Sequence, residues 1–289
     1  FPGVAQLLAE KGLVRAAKPF VYYARYREAD RSVKAGWYEI PATFTPAEVL
    51  SLLVDGPNLY DRITLPEGLW LGESISLLAA GLQLDSLVLD SLARSPDFQA
   101  AMELPGPTLE GYLYPETYHF GRGVDEPAVL AHLAGQFRAF WNGTRRARAE
   151  ELGMSVAAIT TLASIVEAEA VVDEERVRIA AVFHNRLERG MLLQADPTVQ
   201  YARGNRKKLY YRHLEIDSPY NTYRYGGLPP SPICSPGAAA MQATLYPLEG
   251  CEDLYFVATR DGSGRHAFSR TIREHNRARE EAARQSKSP

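Results

Sequence analysis

The stretch Thr161–Val172, TLASIVEAEAVV, decides how the chain is read. Apolar and small residues lie on every side of it without strand-like alternation, so it reads as a helix largely hidden from water. Two acids interrupt it, Glu167 and Glu169. An unpaired buried carboxylate is costly or takes up a proton. Two positions on a helix are about 200° apart, so these acids cannot face each other as a dyad. Glu169 shares a face with Leu162, Ile165 and Val166; Glu167 shares one with Thr160, Ala163, Ser164 and Ala170. Such a face of small residues admits a partner helix or a ligand at close range. A shielded Glu167 would carry a raised pKa and act as a general acid near neutral pH. The competing reading is an ion pair with a nearby arginine, or exposure at a helix end.

Working outward, Ser155 caps this helix and Asp173 caps the next, with Glu174 and Glu175 in its first turn and Gly190 at its end. Glu126 to Leu152 also reads as helical. Toward the N-terminus, GVAQLLAEKGLV is a short amphipathic helix ending near Gly12, and KPFVYYARYR has no clear assignment. SVKAGWYEIP is an expected strand. In TFTPAEVLSLLVDG, Thr45 is the cap, Pro46 the first helical residue and Gly56 the stop. DRITLPEGLWLGESISLLAAGL repeats the order strand, turn, helix; DSLVLDSLARSPDFQAAM adds helix, and ELPGPTLEGYLYPETYHF reads as loop. Toward the C-terminus, residues 192–236 form a long irregular region, the kind that is often functional. LYFVAT and HAFSR around RDGSG predict a hairpin, and a charged helix closes the chain. The fold class expected is α+β, mainly helical with a few strands.

The chain has 289 residues, 46% hydrophobic and 23% charged, with a net charge of −3. It has no basic stripe, which argues against a nucleic-acid partner. No run of ~18 apolar residues is present. The chain starts at Phe1 rather than Met, which suits a segment from which a signal or anchor has been removed. Cys234 and Cys251 are too few for a disulfide framework, and whether they pair is open. There is no HExxH, no Cys/His cluster and no glycine-rich phosphate loop, so no metal and no cofactor are expected. The irregular region concentrates Gln194, Asp196, Gln200, Tyr201, Asn221, Thr222, Tyr223 and Tyr225. Amides that pair with hydroxyls and tyrosines that stack on ring faces suit a sugar; the bland alternative is a solvated Pro/Gly-rich loop.

SIVEAEA, VFHNRLERGMLLQADPTVQYA, YNTYRYGGLPPSPICSPG, LEGYLYPETY and LYFVA…HAFSRT…HN together resemble the motifs of the endolytic murein transglycosylase family. The resemblance covers roughly Ile63 to Arg277. It implies a LysM-like subdomain over residues 1–60, lacking its first strand, and a catalytic domain over 61–289. It implies cleavage of peptidoglycan glycan strands between N-acetylmuramic acid and N-acetylglucosamine, on the extracytoplasmic side of a bacterial membrane. A single N-terminal anchor would lie outside this chain, and cell-wall synthases would be partners. The family's catalytic glutamate, directly after Ser-Ile-Val, falls on Glu167. Gln194, Asp196, Asn221 and Tyr223 fall in motifs that line the cleft, and Glu169 matches a second acid of the motif. VEAEA and SPICSPG are local variants that leave Glu167 in place; Cys234 has no family role. Other classes consistent with the sequence are a non-catalytic peptidoglycan-binding scaffold and a hydrolase using Asp196 or Glu169 as second carboxylate.

Overall fold

The computed structural model describes residues 1–56 and 60–285. The fold is α+β, with helices dominant and two small two-stranded sheets. The chain divides into two compact units, one of residues 1–63 with 118–124, the other of residues 64–117 with 125–289.

In the first unit, α1 (Pro2–Glu10), α2 (Ala17–Tyr26) and α3 (Pro46–Asp55) gather Ala5, Leu8, Phe20, Ala24, Val49, Leu50 and Leu53 into one core. α3 starts as its sequence dictates. The Thr45 hydroxyl accepts the Glu48 N–H, the Glu48 carboxylate accepts the Thr45 N–H at 2.7 Å, and Pro46 fills the first turn. KPFVYYARYR is helical as α2. The expected strand over SVKAGWYEIP is absent: these residues form turns and extended coil, and among the described residues no strand pairs with them. The unit's sheet is instead β1 (Tyr60–Thr64) with β2 (Thr117–Gly121), the latter lying in a segment read as loop.

The second unit begins with α4 (Leu71–Leu82), α5 (Ser86–Ala93) and α6 (Pro96–Ala101), the last two broken at Ser95–Pro96. α7 (Glu126–Phe140) and α8 (Gly143–Glu151) are two helices where one run was expected, because the Asn142 side chain caps α8 afresh. α9 (Val156–Glu169) is the central helix. Ser155 caps it, and every residue from Ile159 to Val166 is buried. α10 (Arg176–Glu188) packs beside it. Asp173 does not cap α10: residues 173–175 form a 3-10 turn, and the Asp173 carboxylate pairs with Arg176. The region expected to be irregular contains α11 (Asp196–Ala202) and a 3-10 turn at 211–213. α12 (Ala238–Leu245) packs on α9. β3 (Tyr255–Ala258) and β4 (His266–Ser269) form the expected antiparallel hairpin, covered by α13 (Ile272–Gln285). Cys234 and Cys251 are both free thiols. Among the described residues no single helix is long and apolar enough to cross a membrane.

Candidate functional site

The small face of α9 carries the irregular segment that precedes α12. Ser164 Oγ accepts the Ile233 N–H at 3.0 Å, and the Cys234 thiol donates to the Ser164 carbonyl at 3.2 Å. On its other side this segment meets Gly111, where a β-carbon would overlap Pro232. Gly111 also has φ +83°, so space and backbone both demand glycine there.

One turn further along α9, Glu167 points at the start of α12. Its Oε2 accepts the Gly237 N–H at 3.1 Å, and Oε1 accepts from Arg176 Nη2 at 3.2 Å. The Glu167 side chain is 7% exposed and that of Arg176 11%, so this is a buried ion pair held by a backbone donor. The expectation of an unpaired acid among apolar residues is thus corrected; the arginine of the competing reading is Arg176. Glu67, from the turn after β1, is the further acid here. Partial loss of hydration and the nearby Glu167 charge push it above the usual carboxylate range.

Glu169 faces the other way, as the helical spacing requires. It lines a cavity of about 540 Å³ together with Arg186, Gln194, Asp196, Tyr223 and Tyr255. Burial and the Asp196 charge raise its carboxyl to about 8. Tyr223 donates its hydroxyl to Asp196 at 2.6 Å. Gln194 is exposed at φ +49°, its N–H bonded to the Thr222 carbonyl at 3.1 Å. Arg186 is anchored by the Leu193 and Leu254 carbonyls. The structure therefore brings Glu169, Gln194, Asp196 and Tyr223 together around one cavity, while Glu167 lies on the opposite face of α9. Asn221 is fully buried: its amide donates to the Leu214 and Ile216 carbonyls and accepts the Tyr223 N–H. It shapes the loop that presents Tyr223.

Another acid, Glu110, sits in the LEGYLYPETY segment. It is 3% exposed, accepts the Leu71 N–H at the start of α4 and the Tyr201 hydroxyl, and is raised to about 7 by burial. Trp70 packs edge-on against Tyr201, and Tyr201 against Tyr220. Arg206 lies 4.5 Å from the Trp70 ring centroid. Reading residues one by one misses Glu67, Arg176 and Gly237. PEG after a strand says only turn, and nothing local marks an arginine as partner of an acid nine residues earlier. Among the described residues no cluster of His, Cys, Asp and Glu suited to a metal ion is present.

A family model described as YceG-like matches residues 1–281. The chain is 32% identical to an endolytic murein transglycosylase of Bacillus subtilis (strain 168), over 96% of this chain and 80% of that protein. It is 28% identical to an endolytic murein transglycosylase of Streptococcus pneumoniae serotype 2 (strain D39), over 88% of this chain and 52% of that protein. A YceG-like protein from Listeria monocytogenes, known from a crystal structure, superposes with a TM-score of 0.69 at 34% identity, covering 96% of this chain and 94% of that one.

Proposed function

The chain belongs to the YceG-like family, and from that premise we propose that it is a lytic murein transglycosylase, a lyase acting on peptidoglycan, with Glu167 as its acid. The observation that supports this role most is the setting of Glu167: a nearly buried carboxyl at the end of the central helix, fixed by Arg176 and the Gly237 N–H. A group held this way keeps its geometry through repeated proton transfers. In the first step Glu167 protonates the glycosidic oxygen, and the bond to the muramic anomeric carbon breaks with its electron pair on that oxygen. In the second, the ionised Glu167 takes the proton of the muramic C6 hydroxyl as that oxygen attacks the anomeric carbon. The product end is a 1,6-anhydro sugar, and no water is consumed. Arg176 holds the carboxylate form between the two steps. The reading extends to endolytic cleavage that trims or terminates nascent strands. It includes a LysM-like role for residues 1–60, an extracytoplasmic location with an N-terminal anchor, and synthase partners. The chemistry requires no cofactor.

A second reading is favoured by the cavity beside Glu169. A carboxyl raised to about 8 next to Asp196 has the makings of an acid and a second carboxylate, as a water-using glycosidase needs. Digestion of purified glycan strands by the wild type, Glu167→Gln and Glu169→Gln, read by mass spectrometry, separates the readings. Anhydro ends lost only in Glu167→Gln support the transglycosylase. Reducing ends lost in Glu169→Gln favour the hydrolase, and strands bound but never cut favour a scaffold.

A further inference from the structure

Glu67 reaches the same residue as Glu167, from a distant part of the sequence. Its turn is tied to the segment before α12 from both sides: the Gly68 N–H donates to the Ser235 carbonyl at 2.8 Å, and the Ser235 N–H donates to the Leu69 carbonyl at 2.9 Å. Arg206 donates to the Gly68 carbonyl at 2.8 Å. So held, the Glu67 carboxyl lies over Gly237, where any β-carbon would overlap it. Gly237 has φ −75°, open to every residue, so its lack of a side chain is a matter of space and not of backbone. The Gly237 N–H is the donor to Glu167. From the other direction, a β-carbon on Gly68 would stand 3.8 Å from Glu167 Cγ. That distance is an ordinary contact, so it is Gly237 whose missing side chain lets two carboxyl side chains converge on one backbone.

The charges that face Glu67 are Glu167 on α9, Arg176 on α10 and Asp173 in the turn before it, and the Tyr114 hydroxyl is a titratable neighbour. That sets three acids against one guanidinium. Glu67 itself stays open to solvent, so a proton can enter the pair from water without unfolding the site. Like charges at close range do not ionise together readily.

We propose that Glu67 is a positioning residue for the acid: converging with Glu167 on the Gly237 backbone, its carboxylate keeps a proton at the site while strands are being cut. This rests on the reading of Glu167 as the acid. Glu67 changes none of its own bonds to substrate. Its negative charge holds the proton on the pair until Glu167 passes it to the glycosidic oxygen, and the same proton count is restored from the C6 hydroxyl. With Glu67 made neutral, the proton leaves at lower pH.

The experiment is the pH–rate profile of anhydro-end release from purified strands, for the full chain carrying Glu67→Gln, Glu67→Asp, Gly237→Ala and Glu167→Gln. In Glu67→Gln the alkaline limb moves to lower pH, by about one unit, and kcat near neutral pH drops about tenfold while KM changes less than about twofold. Glu67→Asp recovers part of the limb. Gly237→Ala, which displaces the Glu67 carboxyl without backbone strain, shifts the limb in the same direction. A Glu67→Gln profile that overlays the wild type, or drops by one factor at every pH, overturns the proposal. Full activity in Glu167→Gln overturns the reading beneath it, and is seen independently of the Glu67 variants.

Discussion

Arg176 is the residue on which the proposed acid depends most. It is nearly buried with Glu167 and also pairs with Asp173. Removing one partner of a buried pair leaves a charge without compensation, typically at a cost of about 3–5 kcal/mol. Arg176→Met is therefore expected to lose about 3 kcal/mol of stability, and Glu167→Gln added to it to restore more than half. Urea denaturation of the two single variants and the double variant measures this coupling. Strict additivity would show that the pair contributes nothing. At this scale the sequence was only partly legible. Spacing alone separated the faces of Glu167 and Glu169, and the contacts bear that out. The spacing could not say that an arginine from the next helix would occupy the Glu167 face, because that follows from how α10 packs on α9.

At the scale of elements, caps that act over three or four residues were read well, with Asp173 the exception, because a 3-10 turn intervenes before α10. Thr45, Pro46 and Ser155 stand in the structure where their chemistry puts them. SVKAGWYEIP was misread because its alternation has no neighbouring strand to pair with; strand formation depends on a partner that propensity cannot see. The small face of α9 was legible as a place of close approach, and what approaches is the segment ahead of α12. Ser164→Ala would leave the buried Ile233 N–H unpaired, costing about 1–3 kcal/mol. Gly111→Ala would force both a left-handed backbone and an overlap with Pro232, so it should cost more than Ser164→Ala. Thermal melts of both variants test the order. Equal midpoints to the wild type would mean that the segment rests on α9 without depending on these contacts.

At the scale of the molecule, the buried carboxyls make stability depend on pH. Glu110 is raised to about 7 in the folded chain against an ordinary value of 4.5. The fold thus favours its protonated form: the stabilisation is complete below about 4.5 and is lost as pH rises through about 7. Glu169, raised to about 8, acts in the same direction over a wider window. The wild type should lose stability between pH 5 and 8, with a Glu110 contribution on the order of 3 kcal/mol. Glu110→Gln should flatten that slope; unfolding midpoints across this range report it, and an unchanged slope would place the proton elsewhere. None of this was visible in the sequence, where LEGYLYPETY reads as loop. Burial of Glu110 comes from the start of α4 and from Tyr201, both remote along the chain.

The sheet of the first unit draws β1 from residues 60–64 and β2 from residues 117–121, while residues 64–117 belong to the second unit. A chain made from its N-terminus therefore cannot finish its first unit until three helices of the second have emerged. Closure of such a long loop is paid in chain entropy before any strand pairing rewards it. The N-terminal helices would wait as a partly assembled body with an open strand, so the order of maturation runs against the order of synthesis. A chain released or cleaved before Gly121 would lack the strand that completes its first unit, however well its three helices had formed.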